Sequence, residues 1–263
     1  MKQISSRDNP AYKKLYRLAE DARECRKQGR SLIDGPHLVA AYREQVGLPE
    51  LLLVSESGVE RPESQALIEA HAGCDIVLLK DSLFKGLSGV DSPVGIAAVI
   101  CIPEETPLFP GGSCVLLDAV QDAGNVGSIM RSSAAAGIRD IFLGLGCASA
   151  WSPRVLRAAQ GAHFRQRIRE SADLEQFLRE YRGNSYVTVV SGGMSLYDVR
   201  QSGDIAWIFG NEGSGVSPVL SSLASRLVTI PMATDMESLN VAAAAAVCLF
   251  ATARTHQPAK RKL

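Results

Sequence analysis

The sequence predicts a two-part α/β protein in which a smaller α/β unit precedes a larger one built on a parallel sheet. Three observations carry this. Apolar runs of strand length alternate with helical stretches along the chain, the pattern of sheets whose faces are covered by helices. Pro103, Pro107 and Pro110, followed by Gly111 and Gly112, interrupt regular structure and mark residues 103–112 as a linker between units at 1–102 and 113–263. Near its end the chain carries an almost wholly apolar helix, residues 241–247, entered from Val228, Ile230 and Pro231 through a turn bearing Glu237, Ser238 and Asn240. A helix that is apolar all round has to be buried, so this one is expected to insert into structure the preceding chain has built, with Ser238 capping its first turn.

The first unit opens with residues 4–30, read as helical: Asn9 or Asp8 can cap, Pro10 suits a first turn, and Leu15 and Leu18 mark the apolar stripe. The other face carries Lys13, Lys14, Arg17, Arg23, Arg26 and Lys27, either a solvated surface or a phosphate-contacting one. A short strand, a Gly35-Pro36 turn and a helix follow, and then three β-like runs, LPELLLVS, CDIVLLK and SPVGIAAVICIP. In the second unit CVLLDAV, RDIFLGLG, SYVTVVSGG, DIAWIFGNEG and RLVTIP read as strands, with NVGSIMRSSAAAG and SPRVLRAAQGA as helices. Ligands of such sheets gather at the carboxyl ends of the strands.

Composition narrows the function classes. The chain has 263 residues, 46% hydrophobic and 21% charged, with a formal net charge of zero, so no global basicity announces a polyanion partner. The charge is unevenly spread, since residues 1–30 hold nine Lys or Arg against four Asp or Glu, which allows a local positive surface. Six scattered cysteines without a CxxC pair suggest neither a zinc site nor a disulfide framework, and no other metal site is expected. The start of the chain is polar and charged, unlike a secretory signal. The longest apolar run is too short to span a bilayer. A cytoplasmic location is the expectation.

Two strand ends in the second unit carry more glycine and polar side chains than turns require. In QDAGNVGSIMR, Asp122, Gly124 and Asn125 close a turn, Gly127 permits close approach, and Arg131 follows on the helix. Exposed amides at that helix start would suit an anion. In IFGNEGSGVS, Gly210, Gly213 and Gly215 surround Glu212, leaving backbone groups free to bind a planar ligand. The P-loop, dinucleotide and GxSxG patterns are all absent.

Together with the entry to the last helix, these strand ends resemble the three motifs of the SpoU/TrmH family of S-adenosylmethionine-dependent RNA ribose 2'-O-methyltransferases, in the SPOUT superfamily. The first, N-x-G-x-x-x-R, is matched by Asn125, Gly127 and Arg131. The second, G-x-E-G-x-G, is matched by Gly210, Glu212, Gly213 and Gly215. The third is matched by Ile230, Pro231 and Met232 with Ser238, Leu239, Asn240 and Val241. The resemblance runs from Asp118 to about Arg254 and departs from the common pattern at Ala123, where many members have proline. Ser5, Asn9, Pro10, Lys13, the run Asp34 to His37, Pro93, Gly95 and Ala98 resemble the family's accessory RNA-binding domain of ribosomal-protein type, with Asp34 where glutamate is more usual.

The resemblance implies a trefoil-knotted second domain, a homodimer formed through it, and S-adenosylmethionine held by Gly210, Asn211, Gly215, Ile230, Met232, Ser238 and Leu239. It implies catalytic roles for Arg131, Asn125, Glu212, Ser238 and Asn240, and RNA contacts at Lys13, Lys14, Arg154 and Arg157. Ribosomal RNA of the large subunit is the expected substrate, with transfer RNA as the alternative. A protein that has kept the fold for RNA binding or ribosome assembly but lost catalysis is the rival of another class.

Overall fold

The computed structural model describes residues 2–105, 111–199, 203–233 and 236–256. Half of the expected linker, residues 106–110, lies outside them. The chain forms two compact units: one takes in residues up to Glu104 and the stretch Trp151–Phe164, the other Glu105–Ala150 and the chain from Arg165 onward.

In the first unit the elements run β1 (Lys2–Ile4), α1 (Pro10–Glu20), α2 (Ala22–Gln28), β2 (Arg30–Asp34), α3 (Pro36–Gln45), β3 (Leu51–Ser55), α4 (Glu56–Val59), α5 (Pro62–Ala70), β4 (Asp75–Leu79), α6 (Asp81–Leu87) and β5 (Ile96–Cys101). The sheet order is β1-β4-β3-β5-β2, with β5 antiparallel to both neighbours and the remaining pairs parallel. Tyr12, Leu15 and Leu18 of α1, three residues apart, meet Leu83, Phe84 and Leu87 of α6 over Leu32, Leu53 and Leu79 of the sheet. Asn9 caps α1, its side chain accepting from Ala11 N at 2.8 Å. The expected single helix is in fact two. Asp21 leaves helical geometry and accepts from Arg23 N at 2.8 Å, so that it starts α2.

The stretch containing α8 (Pro153–Ala159) clusters with the first unit. It is tied to β2 at two points. Ser31 Oγ donates to Trp151 O at 2.6 Å, and Arg157 Nη2 meets Asp34 Oδ2 at 2.9 Å, where the Asp34 side chain is only 6% exposed. Ser88 Oγ donates to the same carboxylate at 2.5 Å.

The second unit contains β6 (Cys114–Asp118), α7 (Ala123–Ala135), β7 (Asp140–Leu143), β8 (Arg167–Arg169), α9 (Leu174–Glu180), β9 (Asn184–Thr188), β10 (Met194–Ser195), β11 (Ile205–Gly210), α10 (Pro218–Leu223), β12 (Arg226–Thr229) and α11 (Val241–His256). Its sheet has the order β10-β12-β9-β11-β6-β7-β8 and every pair is parallel. Such a sheet must be covered on both faces. Leu174, Phe177, Leu178 and Leu220 pack with Cys114, Leu116, Val187 and Ile208, while α11 lies against α7 and β11. Ala245, Cys248 and Leu249 of α11 are fully buried. The expectation of burial all round fails on the remaining face, where Ala243, Val247 and Phe250 are exposed, Phe250 to 47%.

Candidate active site

Strands β12, β9, β11 and β6 lie side by side and parallel, so their carboxyl ends share one edge of the sheet. Gly210 ends β11 directly opposite Asp118 at the end of β6. From β6 the chain passes outward to β7 and β8 on one side, and after β8 it crosses to the other side of β6, where β9, β10, β11 and β12 lie. That reversal of direction is where ligands of open parallel sheets bind.

Each loop at this edge is shaped by its own chemistry. After β6, Ala119 adopts φ 53°, a left-handed conformation that side chains other than glycine rarely take, and its carbonyl accepts from Asn211 Nδ2 at 2.9 Å. Asp122 then caps α7, accepting from Asn125 N at 2.7 Å. After β11, Asn211 and Gly215 exchange two backbone hydrogen bonds of 3.0 and 2.9 Å, closing a tight loop. Asn211 Oδ1 accepts from the amides of Gly213 and Ser214 inside it. Gly210 has no alternative here, since a Cβ would run into the backbone of Gly215 and Val216. After β12, the chain reaches α11 through the third motif. Asn240 caps that helix, its Oδ1 accepting from Ala242 N and Ala243 N at 2.9 and 3.2 Å. The cap expected at Ser238 is thereby corrected: the helix starts two residues later, and Ser238 is left to line a cavity.

That cavity, about 380 Å³, is bounded by Gly210, Asn211, Glu212, Gly215, Ile230, Met232, Ser238, Leu239 and Asn240. All seven residues expected to hold a cofactor are among them. The sequence reading did not single out Thr188, Val189 and Val190 at the end of β9, nor Ala244, which line it too. The available signal was the pair Gly192-Gly193 following a strand that runs parallel to its neighbours.

The three motif loops are knitted by side chains. Asn240 Nδ2 donates to Asn125 Oδ1 at 3.0 Å, and Asn125 Nδ2 donates to Glu212 Oε1 at 2.8 Å. Glu212 also accepts from the amides of Gln121 and Asp122 at 3.3 and 3.2 Å. Partial burial alone would push its carboxyl up, but the Asn125 amide and the backbone amides outweigh that and hold it below the usual glutamate range. The start of α7 is consequently not the open anion site the sequence suggested. The amides of Gln121, Asp122 and Asn125 are already committed to the protein's own carboxylates. Nearby, burial pushes the Cys147 thiol up to about 11, so it is protonated and unreactive at neutral pH.

Arg131 is not brought into this network. It lies six residues beyond Asn125 on α7, is exposed, and neither lines the cavity nor pairs with a carboxylate among the described residues. The four residues expected to contact RNA belong to the first unit. Lys14 and Arg154 are exposed, and Lys13 is exposed beside Asp8 at 3.3 Å. Arg157 is engaged with Asp34, which makes it a structural residue rather than a free cation.

Comparison with known proteins gives a consistent picture. The model of the SpoU rRNA Methylase family matches residues 112–250. The chain is 33% identical over 253 residues to the 23S rRNA (guanosine(2553)-2'-O)-methyltransferase RlmP of Bacillus subtilis (strain 168), covering 95% of this chain and 98% of that one. A solved RNA 2'-O ribose methyltransferase superposes with TM-score 0.82 at 26% identity, over 96% of this chain and 98% of the other. An AdoMet-bound rRNA methyltransferase from Sinorhizobium meliloti shares the fold, with TM-score 0.83 at 24% identity, over 98% and 99%.

Proposed function

Because the chain belongs to the SpoU rRNA methylase family, we propose that it transfers a methyl group from S-adenosylmethionine to a ribose 2'-hydroxyl of 23S ribosomal RNA. The observation that carries this reading is the hydrogen-bonded line Glu212, Asn125, Asn240, which ties three loops around one cavity. The name of the Bacillus relative, a 23S rRNA guanosine 2'-O-methyltransferase, supports the substrate class.

The residues present suit the cofactor. The cavity has the size of a small-molecule site. Its walls combine apolar side chains (Val189, Ile230, Leu239) with the backbone of a glycine loop that has no room for a Cβ at Gly210. Gly210, Asn211, Gly215, Ile230, Met232 and Leu239 would hold the adenosine part, with Ser238 on the same wall. When bound, S-adenosylmethionine supplies an electrophilic methyl group. Glu212, Asn125 and Asn240 fix the loops that define where the accepting hydroxyl can sit. As that oxygen bonds to the methyl carbon, the carbon–sulfur bond would break to leave a neutral thioether, the hydroxyl proton would pass to water, and transient negative charge would develop on the oxygen. Arg131 is a guanidinium and stays protonated. Its role in this reading is to hold an RNA phosphate and stabilise the developing alkoxide, not to act as a base.

The same reading makes the second unit a trefoil-knotted domain, the first an RNA-binding accessory domain, and the active form a homodimer. In support of the dimer, the exposed stripe Ala243, Val247, Phe250 follows the spacing of one helix face, and apolar surface of this kind marks an interface when it is contiguous.

The test is incubation with methyl-labelled S-adenosylmethionine and ribosomal or transfer RNA, followed by digestion to nucleosides and mass analysis. A 2'-O-methylnucleoside from 23S rRNA is expected. A base methyl, or label confined to transfer RNA, would refute the assignment, and binding without transfer would favour the catalytically silent alternative.

A further inference from the structure

We propose that the first unit carries a nucleotide-binding cleft on α1, which holds one unpaired nucleotide of the RNA by stacking its base on Tyr16 and its phosphate against Arg7 and Arg17; this rests on the reading of RNA as substrate. A cavity of about 390 Å³ is lined there by Arg7, Tyr12, Lys13, Tyr16, Arg17 and Gly86. Positions 12, 13, 16 and 17 fall on adjacent turns of one helix, and Arg7 stands just before it. Tyr12 is buried, and its hydroxyl donates to Leu83 O at 3.0 Å, which fixes the ring as the floor. Tyr16 is 46% exposed, with its ring centroid 6.3 Å from that of Tyr12 and tilted by 32°.

Two features point beyond a solvated helix face. The first is Gly86, a residue that weakens a helix. Here it lies within α6, and a Cβ would come 2.7 Å from the Tyr12 hydroxyl. A side chain at 86 would crowd the floor of the cleft. The second is charge. Three cations border the cleft, and the acid paired there is Asp8, 93% exposed, with Lys13. Glu20 lies one turn beyond Tyr16 on α1, also exposed. An exposed aromatic ring among cations is the chemistry that captures single-stranded nucleic acid: every base has a face to stack, and every nucleotide carries a phosphate. A duplex, whose bases are already stacked, would not use Tyr16.

The full-length protein is titrated with deproteinised 23S rRNA by filter binding over a range of salt, alongside Tyr16→Ala, Tyr16→Phe and Arg17→Ala. S-adenosylmethionine affinity is measured in parallel. Tyr16→Ala is expected to weaken RNA binding about tenfold, with Tyr16→Phe retaining wild-type affinity. Arg17→Ala is expected to flatten the dependence of log affinity on log salt by about 0.7 to 0.9. Cofactor affinity should stay unchanged in all three. Variants that bind RNA within twofold of wild type, or a Tyr16→Phe that fails like Tyr16→Ala, would overturn the cleft. A wild type that binds RNA through Tyr16 yet transfers no methyl group would instead sink the methyltransferase reading and leave the cleft standing.

Discussion

Glu212 takes hydrogen bonds from the Asn125 side chain and from two backbone amides of the neighbouring loop, so its ionised form is the one the site is built around. Its carboxyl titrates lower in the folded protein than in the unfolded chain. The stability it contributes is therefore complete above the unfolded value of about 4.3 and is lost as pH falls through the lower folded value. Glu212→Gln should cost about 1 kcal/mol, below the roughly 1.5–3 kcal/mol of hydrogen bonds to charged groups because the residue is exposed. S-adenosylmethionine affinity is expected to fall as Glu212 becomes protonated, and Glu212→Gln should remove that pH dependence in calorimetric titration across acidic pH. Gly210→Ala is harsher. The added methyl meets backbone that cannot swing away, so the loop has to open at a cost of about 3 kcal/mol. Cofactor binding should vanish in that variant while far-ultraviolet circular dichroism keeps its native shape. The residue types of these positions were legible because glycine and acidic residues cluster where strands end. The partnership of Asn125 with Glu212 was not, because 87 residues separate them and only the sheet order brings their loops together.

Helix α11 illustrates what a pattern of apolar residues does and does not fix. Its buried side, Ala245, Cys248 and Leu249, follows from the sequence. Its exposed face does not, because in sequence an apolar residue left on a surface looks the same as one packed in a core. Phe250→Glu should convert the proposed homodimer to a monomer in sedimentation equilibrium without lowering the melting temperature of the monomer. An unchanged association state would rule out this face as the interface. The cap was likewise ambiguous, since Ser238 and Asn240 are both capping types, and the structure gives the task to Asn240. Helix α8 was legible as a helix, but not its clustering with the first unit. Arg157 looked like an RNA contact because a cation on a helix gives no hint of a buried Asp34 a long way back in the chain. Arg157→Ala should lower stability by about 3 kcal/mol in denaturant titration, the cost of leaving that buried carboxylate without a counter-charge and with the Ser88 hydroxyl as its remaining side-chain donor.

At the scale of the whole molecule, the parallel sheet was legible from alternating strands and helices, and the site from the rule that ligands gather at strand ends. What the sequence could not supply is convergence, because loops after β6, β11 and β12 meet only once strands are ordered β12-β9-β11-β6. The fourth contributor, the end of β9 at Thr188–Val190, went unnoticed for the same reason. Hydrogen exchange read by mass spectrometry, with and without S-adenosylmethionine, probes that convergence directly. The account predicts simultaneous protection of amides at residues 188–193, 210–216, 230–233 and 236–241 when the cofactor is added. Protection confined to one of these segments, or falling elsewhere in the chain, would contradict it.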